Sequence, residues 1–139
     1  MIHSLQIERG TTALFVSSKG DPYVKPRLKI LYKNTDNAIT AMSSWITSVE
    51  FSSREEFHNE IIYFRDQLDP KNISLTKAIG FYTDRNTIFI NMIARSLNLK
   101  KPFSFWTDIT SYQMLIFSKE QAGIERALGS TYFARGLFS

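Results

Sequence analysis

Two Glu-Arg pairs, far apart in a chain of 139 residues, carry the side chains best suited to hold a ligand. Glu8-Arg9 lies in LQIERGTTALF, Leu5 to Phe15, and Glu125-Arg126 lies in KEQAGIERALGS, Lys119 to Ser130. Both stretches mix helix-forming residues with glycine and small side chains. At three- and four-residue steps, Ile2, Leu5, Arg9, Thr12, Ala13 and Val16 share one helical face, with Arg9 in its middle. An inward guanidinium needs a carboxylate, a set of carbonyls or an exogenous anion, because an unpaired buried charge is very costly. The group is planar, permanently charged and able to donate two parallel hydrogen bonds to a planar oxyanion. Nitrate has that shape, and its single dispersed charge suits a partly apolar crevice.

Arg126 follows Gly123 by three residues and precedes Ser130 by four, with Ala122, Ala127 and Gly129 beside it. Each interior glycine costs a helix roughly 1 kcal/mol against alanine. A helix holding Gly123, Gly129 and Gly136 therefore needs compensation, and close approach of a neighbouring backbone supplies it. Gly10, Thr11, Thr12 and Ala13 make the first helix a fitting neighbour. Packed along these residues, the two helices bring Arg9 and Arg126 to one narrow gap, where something negative must offset their repulsion. Two readings follow. In one, Glu8, Glu120 or Glu125 closes a structural ion-pair cluster, and the domain is a ligand-free dimerisation or interaction scaffold. In the other, Arg9 and Arg126 clamp a small oxyanion, with Glu8, Glu125 and Gly123 in support.

The elements that must position these residues read as helices throughout. The first runs from about Ile2 to Ser18 and stops at Gly20-Asp21-Pro22. The second runs from Pro26 to about Val49, with Leu28, Leu31, Tyr32, Ala38, Ile39, Met42 and Trp45 as its apolar residues. Ser53 with Glu56 forms a capping box for a third, Arg54 to Leu68. Asn72 or Ser74 caps a fourth that reaches about Leu99. After Lys100-Lys101-Pro102, a long last helix spans about Phe105 to Phe138. Strand alternation is nowhere sustained. Short loops favour antiparallel neighbours, so the expected fold is all-α. It is an antiparallel up-and-down bundle of four to five helices with a long C-terminal helix, one domain over residues 1–139. The last helical pattern has no stop signal, which reads as a piece of a longer protein.

Much chemistry is excluded. With no cysteine there is no disulfide, thiol nucleophile or cysteine metal site. His3 and His58 lack metal-ligand spacing. No phosphate-cradling glycine loop or nucleophile elbow is present, so neither an enzyme nor a cofactor is expected. The net charge of +4 is spread along the chain rather than gathered into a nucleic-acid stripe. No apolar run is long enough to span a membrane, and no signal peptide is visible. Asp36 either pairs with an arginine or faces water, the surface reading being preferred, and the Asp84-Arg85 pair reads as solvated surface.

LQIERGTTALFVSSKG resembles the opening of the NIT (nitrate- and nitrite-sensing) domain family, and KEQAGIERALGSTYFARGLF is similar to its closing motif. NTDNAI, Asn34 to Ile39, and FYTDRNTIFINMI, Phe81 to Ile93, look like intermediate blocks. The likeness covers nearly the whole chain, and the closing motif is its most specific part. It implies an all-helical input domain of chemoreceptors, histidine kinases, transcription antiterminators or receptor-type guanylate cyclases. It implies that the nitrate or nitrite ligand is held by Arg9 and Arg126. Gly10 stands where the family's first motif can carry a second arginine, and the additional helical section of longer members is missing. The resemblance also implies a homodimer and a membrane-anchored full-length protein with a fused output domain. The sensor would lie outside the cell or in the periplasm, with the cytoplasm as the other placement.

Overall fold

The computed structural model describes residues 1–45, 51–98 and 106–135. Its helices are α1 (Ile2–Ser17), α2 (Val24–Thr40), α3 (Arg54–Asp66), α4 (Leu75–Asn98) and α5 (Trp106–Arg135). No strand occurs among the described residues.

Local signals set most helix ends. The α1 terminus closes with Gly20 N–H donating to the Phe15 carbonyl at 2.9 Å and Lys19 N–H to that of Val16 at 3.0 Å. This double bond is the motif by which a left-handed residue ends a helix. Here the left-handed residue at its usual position is Lys19, φ 55°, with Gly20 at φ 93° after it. Ser53 Oγ accepts from Glu56 N–H at 3.1 Å and starts α3. The Glu56 carboxylate reaches back to the Ser52 N–H at 2.8 Å, one residue earlier than a regular capping box. Ser74 Oγ accepts from Lys77 N–H at 3.1 Å at the start of α4.

The second helix is shorter than its apolar pattern predicts. It ends at Thr40 rather than near Val49, and residues 46–50 lie outside the described residues. The Arg54 guanidinium donates to the carbonyls of Thr40, at 3.3 Å, and Met42. These are acceptors that a continuing helix would have consumed. Ser43 and Ser44 follow, residues that compete with the helix for backbone hydrogen bonds. Trp45 still reaches the core, 5.7 Å from the Phe57 ring and 5.6 Å from that of Phe89. The predicted outer ends of the fourth and fifth helices, Leu99, Phe105 and Phe138, fall outside the described residues.

Helix α1 is the axis of the bundle, packing against α2, α4 and α5. Consecutive helices run antiparallel. Tyr82 of α4 faces Glu8 and Thr12 of α1, while Met92 and Phe89 share a recess with Met1 and Ile2. On α2 and α3, Asp36 meets His58 and Arg65, whereas Arg54 meets Thr40. Five helices in alternation leave the first and last parallel: Gln6 meets Glu120, Arg9 meets Gly123, and Ala13 clusters with Ala127.

The core gathers Leu5, Ile39, Phe57, Ile61, Tyr82 and Phe89, among others, all buried. Each fully buried large apolar side chain contributes about 1.5–3 kcal/mol. Helix α3 joins α4 through rings: Phe64 stacks on Phe81 at 3.7 Å and meets Tyr82 edge-on at 5.5 Å. Being surrounded, α1 buries polar residues as well: Glu8, Arg9, Thr11 and Thr12. A helix enclosed this way must find partners for them inside the protein.

Candidate functional site

Two buried arginines dominate the interior polar chemistry, and they are treated differently. Arg65 of α3 has all three guanidinium nitrogens bonded. Its Nε and Nη2 donate to the two Glu8 carboxylate oxygens at 2.9 and 2.8 Å, a bidentate pair. Nη1 donates to Asp36 at 2.6 Å, and Nη2 also reaches the Tyr32 carbonyl at 3.3 Å. The guanidinium carbon sits 4.4 Å from the Tyr32 ring centroid. Glu8 further accepts the Tyr82 hydroxyl at 2.8 Å. Asp36, half-exposed, takes the course of pairing with an arginine: it bridges Arg65 and His58.

This network leaves marks on its tyrosines. Burial, followed by the nearby Glu8 carboxylate, pushes the Tyr32 phenol far above its ordinary range. The same two causes raise Tyr82 well above it. In both cases a phenolate would meet desolvation and a negative neighbour.

Arg9 of α1 is fully buried and only half satisfied. Its Nη1 pairs with the Glu120 carboxylate of α5 and donates to the Thr83 hydroxyl of α4 at 3.0 Å. Glu120 also accepts from Gln6 at 2.7 Å. Arg9 Nε and Nη2 have no hydrogen-bond partner. Those two nitrogens form one edge of the guanidinium, with parallel N–H bonds, the edge that takes an oxyanion side-on. Leaving such donors buried and unbonded costs of order 1–3 kcal/mol each. Asn86 of α4 adds to the anomaly. It is fully buried with neither its amide nitrogen nor its oxygen bonded, and it stands three residues after Thr83, on the same side of the helix.

Gly123 explains how the guanidinium fits. A Cβ built there would lie 2.7 Å from Arg9 Nη2. The glycine therefore makes room for a side chain, where a neighbouring backbone was expected. Gly10 and Gly129 meet nothing within 4 Å of an added Cβ, so close packing explains neither.

Arg126 takes another position at the same seam. It is exposed, and its Nε donates to the Ala122 carbonyl of its own helix at 3.3 Å. It lines a groove of about 310 Å³ between α1 and α5, together with Arg27, His3, Gln6, Gly10 and Gly123. Arg9 is not among the lining residues. Gly123 is the shared element, open to the groove and carrying Arg9 Nη2 against it. Of the carboxylates singled out in support, Glu8 serves Arg65 and Glu125 is exposed; Glu120 is the one that meets Arg9.

Glu120 is one of the three carboxylates the sequence offers for the cluster, whereas Arg65 and Asn86 are not singled out by it. The signal for both is nonetheless present. Arg65 continues the Phe57, Ile61 stripe at the next four-residue step, and Asn86 stands four after Tyr82 and three before Phe89. Of the Asp84-Arg85 pair, Asp84 is exposed as expected, whereas Arg85 pairs with Glu60 and lies 3.9 Å from the Phe81 ring centroid.

A family model described as nitrate and nitrite sensing matches residues 1–139, the whole chain. Neither the curated proteins nor the solved structures contain a match to it. Among the described residues, no helix is long and apolar enough to cross a membrane.

Proposed function

The chain belongs to the nitrate- and nitrite-sensing (NIT) family, a family of sensor domains in signalling proteins, and we propose that it binds a small planar oxyanion at the open edge of Arg9. The observation that carries this reading is the buried guanidinium whose Nε and Nη2 lack partners. Nitrate, or nitrite, accepts from both N–H groups at once and relieves the cost of leaving them unbonded. Asn86 supplies a further unbonded amide on the neighbouring helix. The groove beside Gly123 is the entrance, and the exposed charges of Arg126 and Arg27 attract the anion to it. Glu120 balances one of the positive charges, which favours a monovalent guest over a divalent one.

Binding becomes a signal only through a difference in affinity between two arrangements of the helices. Arg9 touches α4 through Thr83 and α5 through Glu120 and Gly123. An anion bonded to its free edge draws α1 and α5 together, and because the two helices are parallel, a slide of one along the other is the natural output. A membrane-anchored receptor with a fused output domain, acting as a homodimer, fits that output. An extracellular or periplasmic placement suits it best, and a cytoplasmic one remains compatible with the same chemistry. A ligand-free scaffold is the second reading, favoured by the Arg9–Glu120 ion pair.

Titration calorimetry with nitrate, nitrite and chloride decides between them. The sensor reading expects heat and a rise in melting temperature with nitrate or nitrite, both lost in Arg9→Lys, which keeps the charge but not the fork. An identical response to all three salts, or none, leaves the scaffold. For the slide, spin labels at Lys19 and Leu128 are convenient because the chain has no native cysteine. Distances unchanged by saturating nitrate would refute the slide and leave binding standing.

A further inference from the structure

A second recess, of about 380 Å³, lies between the end of α1, α2 and the end of α3. Four lysines line it, Lys19, Lys25, Lys29 and Lys71, and all are exposed. No carboxylate lines it. Two of the acidic residues adjacent in sequence, Asp21 and Asp69, are turned onto their own turns. Asp21 accepts from Tyr23 N–H at 2.8 Å, and Asp69 accepts from the N–H of Lys71 at 3.0 Å and from the side chain of Asn72. Among the described residues, the ion pairs use Arg9, His58, Arg65 and Arg85, and no lysine. Apart from these four lysines the whole chain is formally neutral, since its net charge is +4.

The floor is apolar. Phe15 and Leu28 are buried beneath it, and Leu68 and Pro70 form a half-buried wall. At its back stands Arg65, whose charge is already balanced by Glu8 and Asp36 and which cannot leave them cheaply. The recess thus joins uncompensated positive charge at the rim to an apolar bed. Its volume falls within the range of small-molecule sites, roughly 300–1,000 Å³. It shares no lining residue with the Arg126 groove.

We propose that this recess is a second anion site, for a molecule that carries a phosphate or comparable multiple negative charge on an apolar body. The lysines contact the charged group as mobile point charges, and the apolar part lies over Phe15, Leu28 and Pro70. A planar monovalent ion gains little here, because no fixed fork is free to grip it. The site stands independently of the oxyanion reading at Arg9.

The probes are phenyl phosphate, inorganic phosphate and phenol, titrated into the intact chain at low ionic strength, where exposed charges are least screened. A parallel arm sediments the protein with vesicles of phosphatidylglycerol or of phosphatidylcholine. Phenyl phosphate should bind more tightly than either inorganic phosphate or phenol. The double variant Lys25→Gln, Lys29→Gln should weaken it roughly tenfold, as loss of two exposed charge contacts would, with an unchanged helical spectrum. Arg126→Gln should leave it untouched, which separates this site from the other groove. Sedimentation with phosphatidylglycerol alone, lost in the same double variant, would identify a lipid headgroup as the source of the anion. No binding in either arm, or binding that the double variant leaves unchanged, would overturn the proposal.

Discussion

Arg9 and Arg65 share one interior and one chemistry, yet only one of them is finished. Arg65 has every guanidinium nitrogen engaged, through two carboxylates and a backbone carbonyl, and lies over the Tyr32 ring. Arg9, more deeply buried, has one nitrogen engaged and a whole edge free. Burial alone therefore does not separate the two; the difference lies in whether the fold itself fills the fork. The oxyanion proposed above would take up the edge of Arg9 that the fold leaves without a partner.

The sharpest way to break this comparison is to remove the finished arginine. Arg65→Ala strands Glu8, fully buried, with only the Tyr82 hydroxyl. Loss of one partner of a buried pair costs about 3–5 kcal/mol, so urea unfolding should show a loss of that order. A change below about 1 kcal/mol would mean that the network is ornamental. Next comes the unfinished arginine. Nitrate at a hundred times its dissociation constant should stabilise the wild type by about 2.7 kcal/mol. Arg9→Lys should erase that gain while costing less stability than Arg65→Ala. Equal nitrate responses in the two proteins would remove Arg9 from the site.

Alkaline pH tests the Arg65 side alone. Tyr32 and Tyr82 have folded-state pKa values raised above the ordinary tyrosine value of about 10, through burial and the Glu8 charge. Above pH 10 the unfolded chain loses these protons and the folded one keeps them. Stability is then whole below about pH 10 and falls as pH rises past it, by at most about 1.4 kcal/mol per pH unit for each tyrosine. Tyr82→Phe should flatten the slope, and a Tyr82→Phe profile that overlays the wild type would contradict the assignment. The smallest effect on stability belongs to Gly123→Ala. Its gain of about 1 kcal/mol in helix propensity opposes the displacement of Arg9 Nη2 from 2.7 Å. Net stability should move by less than about 1 kcal/mol, while the nitrate response disappears because the fork is pushed aside. A preserved response would show that Gly123 does not seat it.

The resemblance of the two terminal motifs to the NIT family was legible because those motifs concentrate glycine and Glu-Arg pairs at set spacings. The inward course of Arg9 was also legible, from its place among Leu5, Thr12 and Ala13. Arg65 obeys the same rule but reads ambiguously, because a single arginine ending a stripe on a short helix looks like a cation at a helix C-terminus, which is equally favourable there. Arg126 is the converse case: its small neighbours suggest an inward course, but the room they leave at Gly123 is taken by Arg9, and Arg126 faces the groove.

Helix identity and the ends near Gly20, Ser53 and Ser74 were settled by local chemistry, because caps and left-handed turns act within a few residues. The apolar stripes likewise determined which faces turn inward. The choice of Glu120 over Glu8 and Glu125 for Arg9, and of Glu8 for Arg65, was made only when α1 became the axis of the bundle. Each partner is supplied by a different helix, and the register between helices depends on how every side chain in the core packs at once. No spacing along the sequence contains that information, so the partner set of Arg9 belongs to the tertiary structure.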